Sequence, residues 1–482
     1  MYVKILNRKD HKNTKIVATI GPATSSKEKL LDLVEAGVDT VRLNFSHGTH
    51  QDHEKVIDRV MQINKEYNLH IGILADLQGP KIRVGKIVDG PIELLKDDTV
   101  FITSGKMKGV PNELNINYTE FASDVKPGER ILLDDGKVAL EVIKSDGKER
   151  VELVVRHGGP ISSYKGINLP DTVLKIPSLT EKDMIDLEYI LTQPVNWIAL
   201  SFVRHHKDVK ALRRLIKKQG HIAQIIAKIE RPEALLHIDK IIKSSNAIMI
   251  ARGDLAVELP MEKLPGIQKE IINKCIQAAC PVIVATQMME SMITNPGPTR
   301  AEITDVANAV LDGTDAVMLS GETAIGKFPV EVVRQMNKII IEAEKTYTQE
   351  GRRPKPTKKS SSFLSDVVCF NAAKTAVEIG ASALIGMTYS GYTAFKLSSY
   401  RPKLKIFIFS DRQLMLSTLN LVWGVRCYYY DKLSSTDQTI KDVVGILKEY
   451  HKIKSGDVVV NTGSMPVHER LRTNMMKVTI VE

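Results

Sequence analysis

Eight short segments rich in Ile, Val, Leu and Ala recur along the chain, and their spacing leaves few folds open. They are Lys15–Pro22, Thr40–His47, Ile71–Leu77, Trp197–Val203, Gln224–Glu230, Ala247–Gly253, Pro281–Gln287 and Ala316–Thr323. Each reads as a strand buried on both faces. Helix-period stretches lie between them. Ser25–Ala36 opens on a serine cap with Glu28 three residues on and ends at Gly37; Lys207–Lys218 and Arg300–Leu311 read similarly. Most strand-to-strand spacings are 23 to 35 residues, the size of one βα unit, so the pattern predicts a (β/α)8 barrel. One spacing, from Ile71 to Trp197, is 126 residues and predicts a domain inserted after the third strand.

The insert differs in texture. Short strands are expected at Ile131–Leu133, Val138–Ile143 and Val151–Arg156, with Asp134-Asp135-Gly136 and Ser145-Asp146-Gly147 as turns. Because it leaves the barrel at the C-terminal face of the strands, it reads as a lid over that face rather than an idle surface excursion. Residues 350–362 (EGRRPKPTKKSSS) form a basic, Pro- and Ser-containing boundary. Beyond it, Ala383–Thr388, Lys405–Ser410, Val425–Tyr430 and Asp457–Thr462 alternate with helical stretches, as in an open α/β domain. The expected organisation is a discontinuous barrel (1–78 and 177–349), a β lid (79–176) and a C-terminal α/β domain (350–482).

Composition narrows the function. The formal charge of +10 suits anionic partners, phosphorylated metabolites or nucleic acid. With aromatics at only 5% and no basic stretch interleaved with them, nucleic acid is not expected. No apolar run approaches the ~18 residues of a membrane span. Met1–Thr14 is polar and basic without an apolar core, so no secretory signal is read and a cytoplasmic location is expected. Four scattered cysteines, Cys275, Cys280, Cys369 and Cys427, form neither a disulfide framework nor a metal motif.

Polar and charged groups gather at the strand C-termini, where such a barrel carries its active site. Arg42, Asn44 and Ser46 stand two apart on the second segment, and Asp76 ends the third. Lys228 and Glu230 close the fifth, Arg252 and Asp254 follow the sixth, Thr286 ends the seventh, and Ser320 and Glu322 end the eighth. Any one of these could be a salt bridge closing the barrel mouth. The set together is expensive, because each buried charge costs several kcal/mol unless paired or ligated. Glu230 and Asp254 offer two hard oxygens to one Mg²⁺ or Mn²⁺, and Arg42 and Lys228 bring positive charge to the same place. That grouping fits phosphoryl transfer. The N–H groups of Gly253 and Asp254, where strand passes to helix, could hold a carboxylate. Weaker signals are set aside. Gly321–Phe328 has Phe328 where a P-loop needs Ser or Thr. The Arg252-Gly253-Asp254 tripeptide is too common to mark adhesion. His205-His206 reads as a polar loop, and Cys275 and Cys280 as core thiols.

The motifs Thr19–Thr24 (TIGPAT), Val41–Gly48 (VRLNFSHG), Gly79–Gly85 (GPKIRVG), Glu181–Asp183 (EKD), Ala227–Glu233 (AKIERPE), Ala251–Glu258 (ARGDLAVE), Ala285–Met292 (ATQMMESM), Pro298–Glu302 (PTRAE) and Asp315–Pro329 (DAVMLSGETAIGKFP) occur in order. In them the chain resembles the pyruvate kinase family, over nearly its whole length from Lys15. The resemblance implies transfer of phosphoryl from phosphoenolpyruvate to ADP, giving pyruvate and ATP. It implies Mg²⁺ on Glu230 and Asp254, Lys228 on the phosphoryl in flight, Arg42 anchoring it and Thr286 beside the enolate carbon. Substrate would also meet Gly253 and Asp254. Ser320 and Glu322 would order the proton-donating water. Arg42, His47, Arg83 and Lys182 would meet nucleotide phosphates, with Pro22 near the adenosine. It also implies a homotetramer.

One motif departs from the family. Where many members read DTKGPEIR, this chain reads Asp76-Leu77-Gln78-Gly79-Pro80-Lys81-Ile82-Arg83. The family's K⁺ is held by groups matching Asn44, Ser46, Asp76 and Leu77. Lys81 stands where an acid is common, so its ammonium is expected to replace the ion and K⁺ not to be required. In the C-terminal domain, Thr388, Ser390, Gly391 and Thr393 resemble a phosphate-binding effector loop. A plain strand-to-helix turn is the other reading of that loop. The tail Thr462–Thr473 departs from the fructose 1,6-bisphosphate form, leaving a sugar phosphate or AMP as effector. The competing readings are a metal-dependent aldolase or mutase of the same barrel superfamily and a non-catalytic homologue. The first needs no inserted lid or Lys182, and the second would usually lack Lys228, Glu230, Asp254 or Thr286.

Overall fold

The computed structural model describes residues 12–482 apart from 88–89, 105–111, 173, 348–353, 433–434, 467–468 and 470. Most of the N-terminal segment read for a secretory signal, and the start of the basic connector, lie outside the described residues.

All eight anticipated segments are strands of one closed parallel barrel. They are β1 (Lys15–Thr19), β2 (Thr40–Asn44) and β3 (Gly72–Asp76), then, after the insert, β12 (Trp197–Leu200), β13 (Gln224–Ile229), β14 (Ala247–Ala251), β15 (Val282–Ala285) and β16 (Ala316–Leu319). Register pairs β16 with β1 and closes the ring, for example Lys15 opposite Ala316. The strands are shorter than the apolar segments suggested. Ser46 therefore lies beyond β2 in a turn, where Asn44 Oδ1 accepts its N–H at 3.1 Å, and is not a third residue on the Arg42–Asn44 face.

Alternation along each strand sorts side chains inward and outward. Outward residues such as Ile16, Ile73, Ile225, Ile248 and Val317 join the buried layer beneath the surrounding helices. Inward residues at the N-terminal end fill the bore: Val17, Leu74, Trp197, Ile226, Met249, Ile283 and Met318 pack together with Leu421 from the C-terminal domain. The barrel is thus a solid core, plugged from below.

The insert is built of β4 (Ile92–Leu94), β5 (Thr99–Thr103), β6 (Glu113–Asn115), β7 (Arg130–Leu133), β8 (Val138–Ser145), β9 (Arg150–His157), β10 (Gly159–Ile161) and β11 (Ile167–Asn168). They form a six-stranded sheet ordered β11-β7-β8-β9-β5-β6 and a β10-β4 pair around a separate core that includes Val100, Phe121, Leu140 and Leu153. Only β7, β8 and β9 were legible beforehand. Except for β5 the others have two or three residues, and β11 exists only because distant β7 pairs with it.

The C-terminal sheet runs β19 (Val425–Tyr429), β18 (Lys405–Ser410), β17 (Ala383–Met387), β20 (Val458–Gly463), β21 (Met475–Ile480). The antiparallel edge strand β21 was not anticipated; its sequence, MMKVTI, has no clean alternation.

Two helix starts differ from expectation. The first helix is Lys27–Ala36, capped by Ser26 rather than Ser25: Ser26 Oγ accepts the Lys29 N–H, and Glu28 lies in the first turn instead of completing a capping box. His205 is no loop residue. It caps the helix His206–Lys218 through Nδ1 to the Lys207 N–H, and Asp208 returns a bond to the cap. Among the described residues no helix is long and apolar enough to cross a membrane.

Candidate active site

The last inward position of several barrel strands is polar, and these groups meet at the C-terminal mouth. Thr19 on β1, Arg42 on β2 and Asp76 on β3 are buried side by side. Arg42 donates through Nε to Asp76 Oδ2 at 2.7 Å and through Nη1 to Thr19 Oγ1 at 2.9 Å. Lys228, inward on β13, donates to Ser201 Oγ at 2.7 Å and lies 3.0 Å from Glu230 Oε1 and 3.3 Å from Asp76 Oδ1. Ser201 in turn donates to the Leu77 carbonyl at 2.7 Å. Thr19 and Ser201 were missed in the sequence. Each is two residues past an inward core residue, Val17 or Ala199, and that continued alternation was the available signal.

Burial alone would strip these groups of charge, so the direction of each pKa shift shows which term prevails. Desolvation works to raise the Asp76 carboxyl, yet Lys228 and Arg42 outweigh it and hold it below the usual range. Desolvation works to lower the Lys228 ammonium, yet Asp76 and Glu230 push it above its ordinary value. Both shifts favour the ion pair. Glu230 goes the other way: desolvation raises it, Lys228 opposes this, and the nearby Asp254 charge adds to the rise. Its Oε2 accepts the Phe202 N–H at 2.7 Å.

Asp254 lies in the first turn of the short helix Arg252–Glu258, and its Oδ1 is 3.0 Å from Lys81 Nζ. Two carboxylates, the buried Glu230 and the partly buried Asp254, offer hard oxygen donors that fit a divalent cation. Among the described residues no group of three His, Cys, Asp or Glu could hold a metal, so the fit is to an ion completed by water and substrate oxygens.

Three of the expected site groups already have partners within the chain. The Gly253 N–H donates to Thr286 Oγ1 at 2.7 Å. Glu322 Oε1 accepts the Met289 N–H at 3.2 Å and Oε2 the Ser320 N–H at 2.7 Å. It braces the turn that carries Ser320, and burial pushes its carboxyl up despite those amides. Lys81 sits against Asp254, whereas Asp76 is already neutralised by Arg42 and Lys228. Leu77, an apolar buried residue, offers this region only its backbone.

Thr286 follows β15 with φ of 71°, and Gln287 with 52°. Positive φ at consecutive non-glycine residues is costly and persists where the surroundings enforce it. Arg252, not singled out for a role beforehand, supplies enforcement: Nη2 donates to the Thr286 carbonyl at 2.9 Å, while Asp305 grips the guanidinium at 2.6 and 2.7 Å.

A second cluster lies between the β2 turn and the insert. Burial first, then Arg83, Arg42 and Lys182, lower the His47 imidazole. Three cations thus act on one neutral ring. Lys182 donates to the Phe45 carbonyl and to Asp186, both at 2.6 Å, and Arg83, on the insert, donates to the Tyr164 carbonyl at 3.1 Å. Pro22 is exposed just past β1.

In the C-terminal domain, Thr388, Ser390 and Thr393 line a cavity of about 450 Å³ together with Ser464, Arg472 and Thr473. Gly391, at φ 84°, caps the helix Tyr392–Ser399, and its N–H donates to Thr388 Oγ1 at 3.0 Å. The Thr393 hydroxyl is held by Thr473 at 2.7 Å. Residues 467–468 and 470 of the tail lie outside the described residues.

Comparison with known proteins gives a consistent result. The family description "Pyruvate kinase, barrel domain" matches residues 11–333, and "Pyruvate kinase, alpha/beta domain" matches residues 366–479. The chain is 41% identical over 474 residues to a pyruvate kinase of Geobacillus stearothermophilus, covering 98% of this chain and 80% of that one. It is 41% identical over 470 residues to a pyruvate kinase of Corynebacterium glutamicum, covering 98% of each. The crystal structure of a pyruvate kinase from Cryptosporidium parvum superposes with a TM-score of 0.91 at 34% identity, covering 98% of this chain and 97% of that one.

Proposed function

This chain belongs to the pyruvate kinase family and is a phosphotransferase of that kind, and on that premise we propose how its own residues divide the work. The reaction is transfer of phosphoryl from phosphoenolpyruvate to ADP, giving pyruvate and ATP. The observation that carries the assignment is the buried Lys228 ammonium, ringed by Ser201, Glu230 and Asp76 at the barrel mouth. A permanently charged, held cation is what a phosphoryl group in flight needs, because electrostatic stabilisation and positioning make up most of such catalysis.

Glu230 and Asp254 are the residues that would hold Mg²⁺ or Mn²⁺. When bound, the ion polarises phosphoryl and carboxylate oxygens and offsets their charge. Arg42, locked by Asp76 and Thr19, anchors the phosphoryl end of the substrate. Thr286 presents its strained turn to the enolate carbon, and Ser320, braced by Glu322, lies toward the proton-donating water. The cationic ring around His47 receives the nucleotide phosphates, with Arg83 arriving on the insert and Pro22 near the adenosine. Closure of the insert over the mouth excludes water and so protects the phosphoryl donor from hydrolysis.

Further proposals follow from the same reading. The Lys81–Asp254 contact places a fixed positive charge beside the metal carboxylates, and the enzyme works without K⁺. The C-terminal cavity, with its hydroxyls, Arg472 and a helix N-terminus, takes a phosphorylated effector, a sugar phosphate or AMP. The enzyme acts in the cytoplasm as a homotetramer. The deciding assay is ADP-dependent pyruvate formation with Mg²⁺, in tetramethylammonium salt with and without K⁺, and with phosphorylated effectors at subsaturating phosphoenolpyruvate. Turnover that needs ADP and the metal is expected in both salts. A large gain on adding K⁺ would refute the role given to Lys81, and no ADP-dependent pyruvate would refute the reading of the site.

A further inference from the structure

The two candidate metal carboxylates are tied together behind the site, at the point where the insert joins the barrel. Arg231 directly follows Glu230, and Glu258 ends the seven-residue helix in which Asp254 occupies the first turn. Arg231 Nη1 donates to Glu258 Oε1 at 2.9 Å, and the two side chains are 5% and 1% exposed. The same Oε1 accepts the Asn168 side-chain amide at 2.9 Å. Arg231 Nη2 also lies 3.4 Å from the Leu169 carbonyl. Asn168 belongs to β11 of the insert and Leu169 starts the return to the barrel. The pair therefore stands at a three-way junction of the Glu230 strand, the Asp254 helix and the insert.

The chemistry of this junction is not that of simple packing. Glu258 Oε2 is buried without a hydrogen-bond partner. A half-satisfied buried carboxylate costs stability that an apolar side chain of the same size would not. Glu258 and Arg231 both border a cavity of about 20 Å³, shared with Lys81, Asn168, Arg204 and Asp254, which is room for about one water. The second oxygen and the adjacent space offer the Asn168 amide another acceptor on Glu258, while Arg231 keeps Oε1 and also lies 3.3 Å from Glu233 Oε1. Arg204 holds the return segment farther along, donating to the carbonyls of Leu174 and Ile176. One side of the junction is thus fixed and the other has a spare acceptor.

We propose that Arg231 and Glu258 are positioning residues that set the resting angle of the insert and, through the same ion pair, the separation of the Glu230 and Asp254 carboxylates. Neither touches substrate. This inference rests on the metal reading of Glu230 and Asp254, and the experiment separates the two. In Glu258→Gln, which keeps shape and removes the charge, hydrogen exchange at residues 167–169 of the metal-free enzyme should quicken about tenfold, since opening is governed by local stability. Mn²⁺ affinity, read by electron paramagnetic resonance without substrate, should fall on the order of tenfold, as for loss of a partner that orients a ligand. Asn168→Ala removes only the arm to the insert and should quicken exchange while leaving Mn²⁺ affinity near that of the parent; it also serves if Glu258→Gln does not fold. Exchange unchanged in both variants, or Mn²⁺ binding unchanged in folded Glu258→Gln, overturns the proposal. Asp254→Asn is the control: if it binds Mn²⁺ as tightly as the parent, the metal reading fails, while the exchange result still decides whether the pair restrains the insert.

Discussion

Lys228 is held by three oxygens before any substrate arrives, those of Ser201, Glu230 and Asp76. Its position is therefore already fixed, and little reorganisation remains for the moment of transfer. Lys228→Met should lower kcat by about 10³-fold or more, comparable to removing a charged group from other phosphoryl-transfer sites. Because the change leaves Glu230 and Asp254 with one less competing cation, Mn²⁺ should bind at least as tightly as in the parent. Near-normal turnover would remove the role given to the ammonium. A quieter residue bears on the acid side of stability. Burial pushes the His70 imidazole down to about 4 from an ordinary 6.5. The unfolded chain then binds more protons than the folded one between those values, so stability falls as pH drops from 6.5 toward 4. His70→Gln should flatten that part of a denaturation-midpoint profile, and an unchanged slope would show that other groups set it.

At the scale of elements, the helix Glu181–Ile190 shows how a local sequence signal also serves the site. Thr180 and Asp183 form a capping box, with Thr180 Oγ1 accepting the Asp183 N–H and Asp183 Oδ2 accepting from Thr180. Asp183 Oδ1 also accepts the Gly79 N–H at 3.1 Å, where the chain leaves the barrel for the insert. The box therefore fixes both the helix that carries Lys182 and one root of the insert. Gly79 suits that root because its φ is 70° and a Cβ would meet Ser201 at 2.8 Å. Thr180→Ala should cost about 1 kcal/mol in urea unfolding, the usual loss for a cap. It should raise KM for ADP more than it lowers kcat, since Lys182 is displaced while Lys228 is not. A stability loss with both constants unchanged would confine the box to a structural role.

At the scale of the whole molecule, the C-terminal domain is the floor of the barrel. Leu421 completes the bore, Trp197 Nε1 donates to the Thr418 carbonyl at 3.2 Å, and Lys15 Nζ to the Val425 carbonyl at 2.8 Å. A buried ion pair joins Arg401 to Asp315, 2.8 Å apart and nearly inaccessible to solvent. Asp315 retains the N–H groups of Val282 and Trp423 at 3.0 and 3.2 Å if the arginine is lost. Arg401→Met should therefore cost about 3 kcal/mol, the low end for breaking a buried pair. Calorimetry should show the C-terminal domain melting before the barrel, and a single transition at the parent's midpoint would show the pair to be neutral.

The chain's own periodicity determined the barrel, because a strand buried on both faces can be recognised from a continuous apolar run and its spacing from the next. The sequence also placed Arg42, Asp76, Lys228, Glu230, Asp254 and Thr286 at the mouth, since polar groups ending apolar strands stand out locally. Tertiary structure alone decided what those groups are bonded to. Asp76 belongs to Arg42 and Lys228, Lys81 to Asp254, and Glu322 to two backbone amides. The short strands β6, β10 and β11, the edge strand β21 and the Arg231–Glu258–Asn168 junction were hidden for the same reason. Each is defined by a partner segment outside itself, and such a pairing leaves no period in the sequence to read.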